Sequence, residues 1–178
     1  DQNEVKEINV SEKQLINKLN KEGFKRKLTK QQLRNVLKMV KFNSSASFSV
    51  PGAGKTTEAL AFYAYKKSQS SRIIVFCPKN AFSSWDNELT ECFSAHDSFF
   101  RMNFNGRETK KILKRPLFNE HLLINYEKVR GDGVRDALEE FIVNNNPSDS
   151  FMILDESHRI KNPSSVQSKA LLSLNHLP

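Results

Sequence analysis

The sequence predicts an α/β domain of three layers, a mostly parallel β-sheet with helices on both faces. Short apolar, β-prone runs alternate along the chain with segments whose apolar residues recur at helical spacing. A glycine-rich string follows one run and an acidic string follows another, as ligand-binding residues follow the strands of open parallel sheets. The 178 residues suffice for one domain with a substantial core.

The elements are predicted in chain order from periodicity and from helix start and stop signals. Residues 1–27 predict a helical lead-in ended by Gly23, with apolar residues at helical spacing: Val10, Leu15, Ile16 and Leu19. Thr29 predicts the N-cap of a further helix. Strands are predicted near 46–50, 72–77, 121–124 and 151–154, with a shorter one near 98–102. Helices are predicted near 55–67, 81–93, 107–115, 134–143 and 164–174.

The string Pro51-Gly52-Ala53-Gly54-Lys55-Thr56-Thr57 is typical of a phosphate-binding loop between a strand and a helix. Glycines let consecutive backbone N–H groups turn toward a phosphate, and the helix N-terminus favours an anion. Lys55 is predicted to reach the β- and γ-phosphates, and the Thr56 hydroxyl to ligate Mg²⁺. Ser49 stands where the strict pattern has glycine, and the alternative interpretation is an ordinary turn before Lys-Thr.

Asp155 and Glu156 directly follow the apolar run of residues 151–154. Adjacent carboxylates at a strand end are costly to bury unpaired, and a metal ion with an attacking water gives them a role. Asp155 is predicted to hold Mg²⁺, and Glu156 to orient or deprotonate the water. The alternative is a pair of solvated turn carboxylates.

Four ordered strings resemble superfamily two helicases, and among them the Swi/Snf-like ATPases. Asp155-Glu156-Ser157-His158 is similar to the family's Asp-Glu-x-His box, and its continuation through Lys161-Asn162 is similar to the Swi/Snf-like form. The segment 73–89 resembles the next motif, a strand ending in Cys-Pro and then a helix with Trp and Glu. Tyr126-Glu127 resembles a later one, and Gln32 lies 23 residues before Lys55, close to the family spacing.

The resemblance implies the first RecA-like lobe of an ATP-driven motor over residues 28–178, with ATP and Mg²⁺ as cofactors. It implies that Gln32 reads adenine and that Gly52, Ala53, Gly54, Lys55, Thr56 and Thr57 bind nucleotide. His158 would couple the nucleotide to later motifs. Nucleic acid, foremost double-stranded DNA, would contact four residues: Pro78, Lys79, Asn80 and Asn125. Hydrolysis would require a second RecA-like lobe, so we expect this chain alone to be nearly inactive.

Composition limits the alternatives without selecting one. The net charge of +8 suits a polyanionic partner, although the excess in residues 18–41 and 101–115 also fits solvated helix faces. Two cysteines suggest neither a disulfide framework nor a set of four metal ligands. No apolar run of the sequence is long enough to span a membrane. We therefore expect a cytoplasmic protein, or a nuclear one if the source is eukaryotic. Three alternatives stay open: an RNA- or DNA-unwinding helicase, a motor of a restriction or phage-defence complex, and a non-catalytic nucleotide-gated binding module.

Overall fold

The computed structural model describes residues 10–42, 45–46, 52, 54–68, 71–93, 98–102, 111, 120–144, 150–160, 162 and 164–175. The chain divides into two units. The N-terminal unit comprises Asp1–Lys67 and Glu88–Ser94, and the sheet unit comprises Ser68–Asn87 and Ala95–Pro178.

Three helices form the described part of the N-terminal unit: α1 (Glu12–Lys21), α2 (Lys30–Met39) and α3 (Lys55–Lys66). Two of them begin with a capping box, in which the side chains of the N-cap and of the third helical residue each bond the other's backbone N–H. Ser11 and Gln14 form the box of α1, and Thr29 and Gln32 form that of α2. The predicted N-cap at Thr29 is therefore confirmed.

The core of this unit lies where α1, α2 and α3 pack together. Leu15 and Leu19 are buried as predicted, but Ile16 is 44% exposed, because the apolar face of α1 is narrower than the spacing indicated. Gly23 ends the helical segment in the left-handed region at φ +77°. Phe24 then packs edge-on against Phe93, with ring centroids 5.6 Å apart, so it anchors the core.

The sheet unit contains four parallel strands in the order β2-β3-β1-β4. They are β1 (Arg72–Phe76), β2 (Ser98–Met102), β3 (Glu120–Ile124) and β4 (Ser150–Leu154). Three helices accompany them, α4 (Phe82–Cys92), α5 (Asp132–Asn144) and α6 (Val166–Asn175), with shorter 3₁₀ helices at Lys79–Ala81, Tyr126–Arg130 and Ser157–Ile160. Residues Glu88–Cys92 of α4 belong to the N-terminal unit.

Helices cover both faces of the sheet, as predicted. Ile74, Phe76, Leu122 and Ile124 of one face form a single core with residues of α5 and α6. On the opposite face, Trp85 from the first half of α4 packs edge-on against Phe99 of β2, with ring centroids 6.1 Å apart. Side chains alternate between the faces of a strand, which explains why the residues of β1 are buried almost throughout.

Strand and helix positions agree with the sequence-based predictions to within about two residues wherever the structure describes them. The short strand near 98–102 is confirmed. The predicted strand near 46–50 and the predicted helix near 107–115 lie, apart from residues 46 and 111, outside the described residues. The strand β4 is half-buried rather than buried, with Leu154 38% exposed, because among the described strands it pairs with β1 alone.

No helix in the described part of the chain combines the length and the apolar character that a bilayer crossing requires.

Candidate functional site

The described part of the phosphate-loop string has the backbone that its glycines predicted. Gly52 and Gly54 both adopt left-handed conformations, at φ +81° and +78°. Gly54 is the N-cap of α3. Because glycine has no side chain, this residue offers no side-chain oxygen to the first backbone N–H groups of α3. The N-terminus of a helix favours an anion. Pro51 and Ala53 lie outside the described residues.

Lys55, Thr56 and Thr57 form the first turn of α3, and they are not equally exposed. Lys55 and Thr56 are partly exposed, whereas Thr57 is 2% exposed. The Thr57 hydroxyl donates to Oε1 of Glu88 over 2.5 Å. The Thr57 side chain is thus bound within the protein, and a contact from this residue to a phosphate would come from its backbone N–H.

Gln32 contacts the same loop. Its Oε1 accepts the backbone N–H of Thr29 over 2.9 Å, and its Nε2 lies 3.5 Å from the carbonyl oxygen of Gly54. A Cβ placed on Gly54 would lie 2.3 Å from that nitrogen, closer than van der Waals contact permits. A side chain at position 54 would therefore force the carboxamide of Gln32 to shift. Its predicted role toward adenine stays a prediction.

Two carboxylates, one buried and one partly buried, support the start of α3, and the sequence analysis assigned neither of them this role. Glu58, 1% exposed, accepts from Nδ2 of Asn35 over 2.7 Å and so joins α3 to α2. Glu88 accepts from Thr57 and pairs with Nη1 of Arg26 at 2.9 Å. Burial and the nearby Glu88 raise the pKa of the Cys92 thiol to about 12. The sequence signal that could have found them is an acidic residue among the core-facing positions of a helix, because a buried carboxylate requires a partner.

In the sheet unit, the chemistry-bearing residues follow the carboxyl ends of three neighbouring strands. Cys77, Asn125 and Asp155 are the first residues after β1, β3 and β4, and the last residues of these strands are in register. The backbone pairing continues one residue further, because Asp155 N–H donates to the Phe76 carbonyl over 2.9 Å and Cys77 N–H to that of Ile124 over 3.0 Å. This brings Asp155, Asn125 and the Cys77-Pro78 step to one edge of the sheet.

Three groups hold Asp155. Its N–H is bound to Phe76, its carbonyl oxygen accepts the Tyr126 hydroxyl over 2.7 Å, and its Oδ2 accepts Nε1–H of Trp85 over 2.9 Å. Burial, and after it the charges of Asp155 and Asp86, raise the pKa of the Cys77 thiol to about 12. Asp86 itself is paired with Arg101, whose Nε lies 2.8 Å away. The carboxylate of Asp155 therefore lies beside a protonated, buried thiol and an indole.

Glu156 has an unusual backbone. It is the residue other than glycine with positive φ, +55°, in the described part of the chain. Left-handed backbone disfavours residues with a Cβ, and such strain concentrates at functional positions. Its carboxylate is exposed, and Oε2 lies 3.1 Å from Nδ1 of His158. The left-handed backbone at Glu156 turns the chain from the end of β4 into the 3₁₀ helix that carries His158.

The four residues predicted to contact nucleic acid differ in their surroundings. Pro78 is buried and caps the 3₁₀ helix Lys79–Ala81, which exposes Lys79 and Asn80. Asn125 is buried, and its Oδ1 accepts the N–H of Glu127 over 2.9 Å, capping the next 3₁₀ helix. The exposed pair is available to a ligand, while Asn125 also has a structural role.

Comparison with known proteins agrees with these motifs. A profile described as the SNF2-related domain matches residues 48–177, most of the chain. The Xenopus tropicalis protein named SWI/SNF-related matrix-associated actin-dependent regulator of chromatin subfamily A containing DEAD/H box 1 is 25% identical over 127 residues. That alignment covers 70% of this chain and 12% of the relative, so the chain spans a small part of that protein's length. The chain belongs to the SNF2-related domain family and is, as its motifs predicted, a Swi/Snf-like ATPase lobe of the helicase superfamily.

Proposed function

We propose that this chain is the ATP-binding lobe of a DNA translocase, which hydrolyses ATP with Mg²⁺ together with a second RecA-like lobe. The observation that carries the proposal is the start of α3, where two left-handed glycines precede Lys55 and Thr56. This backbone with a lysine and a hydroxyl in the following turn is suited to a nucleoside triphosphate. In the proposal, residues 28–178 constitute the lobe and residues 1–27 lead into it.

Each residue of the loop has its own part in the proposed binding. Lys55 binds the β- and γ-phosphates as a cation, and Thr56 offers its hydroxyl to Mg²⁺. Backbone N–H groups from Gly52 to Thr57, including that of Ala53, bind phosphate oxygens. Gln32 contacts adenine, and its contact with Gly54 supports a link between base recognition and the loop.

Asp155 and Glu156 act on the metal and on the water. Hydroxyl and carboxylate oxygens are the ligands that Mg²⁺ prefers, and Mg²⁺ keeps several waters, so one carboxylate suffices. Bound Mg²⁺ would neutralise charge developing on the phosphates. Glu156 takes a proton from water, and His158, 3.1 Å from it, couples Glu156 to later motifs.

The partner we propose is double-stranded DNA, contacted through Pro78, Lys79, Asn80 and Asn125. The charge distribution supports a polyanion, since residues 23–57 contain eight basic residues and no acidic one. Three exposed residues of α2, spaced four apart, form what we call the α2 basic stripe: Lys30, Arg34 and Lys38. This spacing places them on one helix face, where they can meet successive phosphates. The relative's name concerns chromatin, which favours a nuclear location if the source is eukaryotic. For any other source we propose a cytoplasmic location.

The proposal is tested by nucleotide binding and turnover in three variants. Calorimetry with and without Mg²⁺ should show binding that Lys55→Ala abolishes and that Lys13→Ala, an exposed control on α1, leaves unchanged. Turnover, measured with the second lobe and duplex DNA present, should vanish in Glu156→Gln while ATP binding persists. Unchanged turnover in Glu156→Gln would refute the catalytic role of Glu156. Nucleotide binding without any turnover in the wild type would favour a non-catalytic nucleotide-gated binding module. Stimulation by RNA alone would refute DNA as the partner.

A further inference from the structure

We propose that Trp85 is a positioning residue for Asp155, whose carboxylate it orients for Mg²⁺ through the indole N–H. The inference rests on the metal role proposed above for Asp155. Trp85 is the sole tryptophan of the chain and is 2% exposed. Its Nε1 lies 2.9 Å from Oδ2 of Asp155, across 70 residues of sequence.

The chemistry of the indole makes this contact directional. An indole N–H can donate and cannot accept, so in a buried setting it requires an acceptor at a defined place. Trp85 cannot turn freely, because its ring packs edge-on against Phe99 with centroids 6.1 Å apart. The ring therefore holds its N–H in place, and Oδ2 of Asp155 must meet it.

The backbone of Asp155 is held independently of its side chain. Its N–H donates to the Phe76 carbonyl over 2.9 Å, and its carbonyl accepts the Tyr126 hydroxyl over 2.7 Å. These two bonds locate the Cα, and the bond from Trp85 determines how the carboxylate is rotated. Within the described part of the chain, the side-chain hydrogen bond of Asp155 is made by Oδ2, and in this proposal Oδ1 is the oxygen offered to Mg²⁺.

Water cannot easily replace the indole at this place. Trp85 and Cys77 are both buried, and the Cys77 thiol has a pKa raised to about 12, mainly because of that burial. Removing the N–H leaves a carboxylate oxygen without its donor beside apolar atoms, so the carboxylate is expected to rotate. Mg²⁺ tolerates little departure from octahedral geometry, and loss of a group that orients a metal ligand typically weakens metal affinity or activity about 10–100-fold.

The experiment compares Mg²⁺ dependence in variants that differ in the N–H. Nucleotide affinity is measured by calorimetry over a series of free Mg²⁺ concentrations for wild type, Trp85→Phe and a protein carrying benzothienylalanine at position 85. That analogue keeps the bicyclic shape and replaces N–H by sulfur. Phe82→Leu is the control, because Phe82 is a buried residue of the same helix and has no polar atom.

We expect both changes at position 85 to raise the Mg²⁺ concentration for half-maximal binding about tenfold or more, with Mg²⁺-free affinity unchanged. Phe82→Leu should lower the melting temperature and leave the Mg²⁺ dependence as in wild type. A benzothienylalanine protein that behaves as wild type would overturn the proposal. So would a shift no larger than that of Phe82→Leu.

A second measurement needs no metal. The indole ¹H–¹⁵N resonance of the sole tryptophan should move on Asp155→Ala, because its acceptor is removed. An unmoved resonance would overturn the positioning role even if wild type binds nucleotide with Mg²⁺ dependence, leaving the proposed function intact. Wild-type binding without any Mg²⁺ dependence would instead refute the metal role of Asp155, and the positioning role with it.

Discussion

The contact between Gln32 and Gly54 predicts how an added methyl group in the phosphate loop would affect stability. Gly54→Ala meets two obstacles: a left-handed φ of +78°, and a Cβ 2.3 Å from Nε2 of Gln32. The first costs about 1–2 kcal/mol, and the overlap adds about 1 kcal/mol, because Nε2 is the end of a flexible side chain that can shift. Gly23→Ala is the matched control, because its φ of +77° is nearly the same and a Cβ there meets nothing within 4 Å.

Urea denaturation of four proteins separates the two terms. We expect Gly23→Ala to lower the free energy of unfolding by about 1–2 kcal/mol and Gly54→Ala by about 2–3 kcal/mol. Adding Gln32→Ala to Gly54→Ala removes the overlap, so the double variant should be more stable than the sum of the single effects predicts, by about 1 kcal/mol. Additivity within about 0.5 kcal/mol would refute the contact between the two residues.

Three further predictions concern other parts of the chain. Glu156→Gly should raise the free energy of unfolding by about 1 kcal/mol in thermal denaturation, since it relieves the φ of +55°, while turnover is lost. The thiols of Cys77 and Cys92 have pKa values raised to about 12, so the folded chain keeps protons that the unfolded chain loses near pH 9. The free energy of unfolding should therefore fall as the pH rises above 9, by up to about 1.4 kcal/mol per pH unit for each thiol. The decrease should be less steep in the variant with alanine at both positions. Changing the three residues of the α2 basic stripe to glutamine should reduce the slope of log affinity for duplex DNA against log salt concentration by about 2.7. The control changes three exposed lysines elsewhere to glutamine: Lys13, Lys21 and Lys169. An equal reduction in the control would contradict the prediction.

The positions of the strands and of the two main motifs could be predicted because their signals are local. The runs behind β1 and β4 are apolar and β-prone, and Asp155 follows β4 directly in the sequence. Glycines at 52 and 54 indicated left-handed backbone without reference to the rest of the chain. The lateral order β2-β3-β1-β4 was not predictable, since periodicity describes one strand at a time. The half-burial of β4 depends on that order.

The hydrogen bonds around the functional motifs were also beyond the sequence, because each joins distant segments. Thr57 and Glu88 are 31 residues apart, and Trp85 and Asp155 are 70 apart. Trp85 lies in the segment 73–89 that resembles a family motif, but the resemblance does not tell where the indole N–H points. Thr57 was assigned to the nucleotide by its place in the motif, and its hydroxyl is bound to Glu88. A motif thus identifies the chemistry, while the side-chain partners are set by tertiary packing.

The residues that carry the chemistry of the two motifs and the residues that support them should respond differently to mutation. Lys55, Glu156 and Asp155 carry the proposed chemistry, so replacing them should change binding or turnover more than folding. Their geometry is held by residues from elsewhere in the same unit, whose side-chain partners the sequence did not show: Gln32 and Glu88 near α3, and Phe76, Tyr126 and Trp85 around Asp155. Backbone groups such as the Phe76 carbonyl tolerate side-chain substitution, but the Trp85 indole N–H does not. Trp85 is therefore the supporting residue whose replacement should change Mg²⁺ dependence as well as stability.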